Sequence, residues 1–149
     1  ALVVLFIEHA GFGITYQVTS SMQKGFYWLE PINNIKRDDT VVFYPPHNIS
    51  KFLLKKHWIP DDGLLMKKVF AIPGDYVCKK NNYIWINQKK VAKVYRYYDS
   101  KKLLPSEKFC LVLSKNQYLL MSTKVKRSFD GRYFGPVDRS EIIGKGDKI

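Results

Sequence analysis

Residues 19–27 read TSSMQKGFY, and residues 64–77 read LLMKKVFAIPGDYV. The first stretch sets two adjacent serines, Ser20 and Ser21, ahead of a glycine and an aromatic pair. A serine hydroxyl becomes a nucleophile when a neighbouring base takes its proton. His9, His47 and His57 stand in an apolar stub, a proline loop and a helix candidate, with nothing to mark any of them as that base. Lysine is the remaining candidate, and the second stretch supplies Lys67 and Lys68. Taken alone, the serine stretch is also an ordinary turn signal, because Ser and Gly punctuate strands.

The lysines interrupt an otherwise apolar strand that a Pro-Gly-Asp turn ends. Successive strand side chains point to opposite faces, so both lysines cannot face water if either face is packed. Burial disfavours the charged form and lowers a lysine pKa by up to ~3–5 units. A base needs that shift. At its ordinary pKa of ~10.4, lysine is neutral at pH 7 about once in 2,500, a handicap of roughly 4.6 kcal/mol. Leu65, Val69 and Phe70 are apolar neighbours able to remove much of it. Alternation leaves open which lysine is inside. An edge strand carrying lysines against aggregation is the structural alternative.

Other chemistries find no residues to carry them. The three histidines and two cysteines give no paired-ligand spacing for a metal. No phosphate-cradling glycine motif is present, so no cofactor is expected.

The elements that must position these residues read as strands. The chain has 149 residues, 46% hydrophobic and 15% aromatic, enough for one domain with a real core. Ile14–Thr19, Thr40–Tyr44, Leu64–Ile72, Tyr83–Asn87, Phe109–Leu113 and Tyr118–Ser122 are short, β-rich and bounded by turn residues. Ser50–Trp58 is the clearest helix candidate, with Ser50 as cap and Ile49, Phe52 and Leu53 as an apolar stripe. The expected fold is mainly antiparallel β with little helix.

Residues 1–13 open on ALVVLFI, too short for the ~20 residues that cross a bilayer. They read either as the end of a longer anchor helix or as a buried first strand. The net charge is +12, and residues 78–110 carry nine Lys/Arg against two Asp/Glu. Such a segment suits nucleic acid, anionic lipid, an acidic protein or simply a solvated face.

Together with SFDGRYFGPV at Ser128–Val137, the two stretches resemble the type I signal peptidases, and more closely the TraF-type conjugative transfer peptidases of that serine–lysine family. SMQKGFY matches the family's Ser-x-Pro-x-Gly-x-Tyr pattern at Ser21, Gly25 and Tyr27, with Gln23 where proline is usual. KKVFAIPGD matches the basic pair leading into Pro-Gly-Asp, which assigns the base to Lys67. SFDGR supplies Ser128, Asp130 and Arg132 in the spacing of the third block. The resemblance covers roughly residues 14–149, with 78–110 as an inserted basic subdomain.

The resemblance implies a serine endopeptidase in which Ser21 attacks and Lys67 is the base. Thr19 and the Ser21 backbone N–H would serve the oxyanion, Ser128 would orient the lysine amine, and Asp130 with Arg132 would fix the loop. It also implies a disulfide between Cys78 and Cys110 and a membrane-associated domain on the periplasmic side of a bacterial inner membrane. The implied substrate is a pilin precursor or another exported protein, with hydrolysis or head-to-tail cyclisation of the product. A general signal peptidase is the nearest enzymatic alternative. An anionic membrane surface is the expected partner of the basic segment, and no specific nucleic acid is expected. The non-enzyme alternative is a basic β domain holding nucleic acid through Tyr95, Tyr97, Tyr98 and nearby lysines.

Overall fold

The computed structural model describes residues 2–6, 13–17, 22–47, 49, 51, 55, 64–98, 102–104, 108–122 and 128–149. The strands are β1 (Leu2–Phe6), β2 (Gly13–Gln17), β3 (Gly25–Glu30), β4 (Thr40–Phe43), β5 (Leu65–Ala71), β6 (Tyr76–Lys80) and β7 (Tyr83–Ile86). They continue as β8 (Lys89–Lys93), β9 (Tyr97–Tyr98), β10 (Lys102–Leu103), β11 (Phe109–Val112) and β12 (Gln117–Met121). A one-turn helix, α1 (Gly131–Phe134), then precedes β13 (Val137–Asp138) and β14 (Ile142–Lys148). Of the helix expected at Ser50–Trp58 only Lys51 and Lys55 are described, both helical, and Thr19 and Ser21 lie outside the described residues.

Among the described residues the main sheet has eight strands in the order β1-β2-β3-β14-β4-β5-β12-β13, with antiparallel neighbours throughout. A second sheet has the order β11-β6-β7-β8, and β9 pairs with β10. Leu2–Phe6 thus forms a strand paired with β2. The fold is mainly β and antiparallel.

Two tight hairpins build the second sheet. Asn81 and Asn82, then Asn87 and Gln88, all take positive φ between 49° and 66°. Two successive left-handed residues match the right-handed twist of the flanking strands, and asparagine tolerates that conformation well. One apolar cluster, including Ala71, Val77, Ile84, Leu119 and Met121, joins this sheet to the main one. Others pack around Val41, Phe43, Val69 and Leu120, and around Tyr27, Leu29, Val42 and Met66.

Candidate active site

Strand β5 carries both lysines and lies between β4 and β12. It is an interior strand, which removes the edge-strand reading. Its Met66 and Val69 belong to different apolar clusters. Lys67 is consequently only 3% exposed, whereas Lys68 is exposed. Burial lowers the Lys67 ammonium from its ordinary 10.5 to about 8. The Asp130 carboxylate pulls it part of the way back and Arg132 pushes it further down. The handicap of a lysine base shrinks accordingly.

The Lys67 amine donates to Ser128 Oγ across 2.7 Å, and both residues are buried. Ser128 is delivered by a loop that one ion pair holds rigid. Arg132 donates from Nε to Asp130 Oδ1 and from Nη2 to Asp130 Oδ2, each at 2.9 Å. The same guanidinium reaches the carbonyls of Ser122, Ser128 and Lys93. Asp130 also accepts from the Ser122 and Arg132 backbone N–H groups, capping α1. Breaking one partner of such a buried pair would strand a charge, at a cost of about 3–5 kcal/mol.

Gly131 lets this loop lie directly on β12. A Cβ there would stand 2.7 Å from the Leu120 carbonyl oxygen and 2.9 Å from Leu119 Cδ1. Only glycine avoids that clash. Because β12 is also the neighbour of β5, Ser128 and Lys67 arrive on adjoining supports.

The far end of β5 is fixed by the Pro-Gly-Asp turn. Gly74 has φ 92°, and the Asp75 N–H donates to the Ile72 carbonyl at 3.0 Å. Proline followed by a left-handed glycine suits a type II turn. Burial alone would raise the Asp75 carboxyl. Hydrogen bonds from Arg37, the Ile72 N–H and Asn87 outweigh burial and hold it below its ordinary 3.8.

On the serine side, Met22 packs on the cluster of Tyr27, Leu29, Val42, Leu64 and Met66. The residue after Ser21 therefore packs on the cluster containing the residue before Lys67. The Tyr27 hydroxyl donates to the Gln23 carbonyl at 2.6 Å and tethers the chain beyond the serine. This tether supplies rigidity where Gln23 replaces proline. Gly25, at φ 137°, makes room for the Lys148 side chain. A cleft of about 530 Å³ opens beside Met22, Gln23, Lys68 and Ser122.

The structure thus brings Lys67, Ser128, Asp130 and Arg132 together. Cys78 and Cys110 form a disulfide between directly opposed positions of β6 and β11. Sequence reasoning gave no role to Ser122, whose backbone serves both members of the ion pair, or to the Tyr27 tether. Tyr27 was legible only as a pattern match; Ser122 gave no signal, because its backbone rather than its hydroxyl makes these bonds. Among the described residues, no group of three or more His, Cys, Asp or Glu is placed to hold a metal ion. No helix among them is long and apolar enough to cross a membrane.

Comparison with known proteins extends this picture. Plasmid transfer protein TraF of Escherichia coli is 32% identical over 142 residues, which cover 88% of this chain and 79% of that protein. Signal peptidase IB of Staphylococcus aureus is 32% identical over 94 residues, covering 54% of this chain and 49% of the relative. A crystal structure of signal peptidase I from Enterococcus faecalis aligns with 76% of this chain and 97% of its own, at 21% identity and a TM-score of 0.45. The model of the signal peptidase family, peptidase S26, matches residues 1–149. The chain belongs to that family and is a signal-peptidase-like serine protease.

Proposed function

We propose that Ser21 and Lys67 form the catalytic dyad of an endopeptidase that processes an exported precursor. The observation that carries this reading is the buried Lys67, held by Ser128 and poised to be neutral from about pH 8. Neutral Lys67 takes the Ser21 hydroxyl proton as the serine oxygen bonds to the scissile carbonyl carbon. The Ser21 N–H and the Thr19 hydroxyl stabilise the oxyanion, a contribution of about 3 kcal/mol per donor in comparable sites. The protonated lysine then gives its proton to the leaving amine as the peptide bond breaks. Ser128 keeps the amine aimed through this exchange, while Asp130 and Arg132 hold Ser128.

The acyl-enzyme that remains is open to water or to an amine. Likeness to the plasmid transfer protein favours the precursor of a conjugative pilin as substrate. The domain would work on the periplasmic face of a bacterial inner membrane, its basic segment toward anionic headgroups. Similarity to signal peptidase IB supports a second reading, general removal of signal peptides. Incubation with a pilin precursor and, separately, with a signal-peptide-bearing preprotein separates the two. Preferential cutting of the pilin precursor supports the first reading, and preferential cutting of the preprotein supports the second. Weighing the pilin product decides its fate, because hydrolysed and cyclised products differ in mass by one water.

A further inference from the structure

The second sheet holds a pocket of about 390 Å³ that the protease chemistry does not use. Its described lining includes Lys79, Lys80, Arg96 and Lys108, joined by Asn81 and Asn82, and contains no carboxylate. We propose that this pocket is a binding site for a phosphate group, either the headgroup phosphate of a membrane lipid or a free phosphate.

Four cations around one concavity raise the local potential far above that of the same charges spread over a surface. Lys79 is 5% exposed, and its ammonium stands 5.5 Å from the Tyr133 ring centroid. The Lys80 ammonium lies 5.6 Å from the Trp85 centroid, and the Arg96 guanidinium 5.9 Å from that of Tyr97. These ring faces help place the cations, since a ring quadrupole attracts positive charge. Asn81 and Asn82 form the left-handed β6–β7 turn at the rim, where their amides can donate to phosphate oxygens.

The walls are also covalently fixed. Lys79 and Lys80 follow Cys78 on β6, while Lys108 stands two residues before Cys110 at the start of β11. The disulfide therefore ties together the two adjacent strands that carry these lysines. One wall reaches the catalytic loop: the Tyr95 N–H donates to the Tyr133 hydroxyl at 3.0 Å, and Tyr133 follows Arg132. A phosphate held here lies against the support of Ser128. The binding proposal stands on the pocket alone and does not depend on the role of Ser21.

The test uses the full chain and two variants, Lys80→Gln/Lys108→Gln in the pocket and Lys89→Gln/Lys90→Gln outside it. All four lysines are exposed and both variants remove two charges, so folding and net charge are matched. Co-sedimentation is measured with phosphatidylglycerol vesicles and with phosphatidylcholine vesicles, and inorganic phosphate binding is measured by titration. The pocket pair should weaken binding to anionic vesicles by about tenfold or more, and the outside pair by less than about threefold. Inorganic phosphate binding lost in the pocket pair, without vesicle binding, would support the site and assign it to free phosphate. Equal losses in both variants would overturn the proposal, as would binding of neither probe by the wild-type chain. Tighter retention of duplex DNA than of anionic vesicles would also overturn it.

Discussion

The Lys67 amine donates to Ser128 Oγ across 2.7 Å, from a central strand to a loop 61 residues later in the chain. Neither residue makes this contact through local sequence; β5, β12 and the Asp130–Arg132 pair bring them together. Ser128→Ala removes the hydroxyl that aims the amine. Its loss is expected to lower kcat about ten- to a hundredfold, the worth of a hydrogen bond to a charged group, with little change in KM. Steady-state kinetics on one precursor checks this. A rise in KM with unchanged kcat would instead place Ser128 in substrate binding.

Activity should rise with pH through a midpoint near 8, because only neutral Lys67 accepts a proton and burial lowers its pKa to about 8. Stability should move the same way. The unfolded lysine keeps its proton up to about 10.5 while the folded one releases it near 8, so the unfolded chain binds more protons between those values. Stability therefore increases across that window, and Lys67→Met should abolish this increase. A pH–rate profile and denaturant titrations at several pH values measure both effects. A rate that rises only near pH 10 would mean that Lys67 is solvated in solution.

The two adjacent lysines should behave differently. Lys67→Met and Lys67→Arg should each abolish cleavage, the second because a guanidinium stays protonated at any usable pH. Lys68→Met should retain substantial activity, since its side chain is exposed on β5. Cleavage assays with circular dichroism as a folding control distinguish the variants. Activity in the Lys67 variants with none in Lys68→Met would reverse the assignment.

The doublet also shows how far the sequence could be read. Alternation required one lysine to be inside, yet it could not choose between them, because the choice depends on which clusters cover each face of β5. The strand runs at Thr40, Leu64, Tyr83, Phe109 and Tyr118 were legible from β-branched and aromatic residues. Strand β14 was not. Its IIGKGDK carries two glycines and three charged residues, but it lies between β3 and β4 in the main sheet. There Gly144 faces the Glu30 carbonyl, where a Cβ would stand 3.0 Å away. Glycines and charges that give no strand signal leave the backbone bare enough for this close approach. The third block, SFDGR, was legible as a pattern, but its geometry depends on Ser122 and Leu120 from another strand.

Removing the Cys78–Cys110 disulfide should destabilise the domain by roughly 3–4 kcal/mol in the chain-entropy model for a loop of this length. Denaturation of the Cys78→Ser/Cys110→Ser variant measures the loss, and thiol titration without reductant should find no free thiol. Two reactive thiols in the folded protein would contradict the pairing.

If Ser21 is the attacking residue, the Ser21→Ala variant must lose the reaction. Removing one hydroxyl oxygen leaves Lys67, Ser128 and the Asp130–Arg132 pair in place. The purified variant and the wild-type chain are incubated with the same pilin precursor, and products are followed by mass spectrometry. The wild type should process the precursor and the variant should not, with matching circular dichroism spectra. Continued cutting by Ser21→Ala at the wild-type site and rate would contradict it.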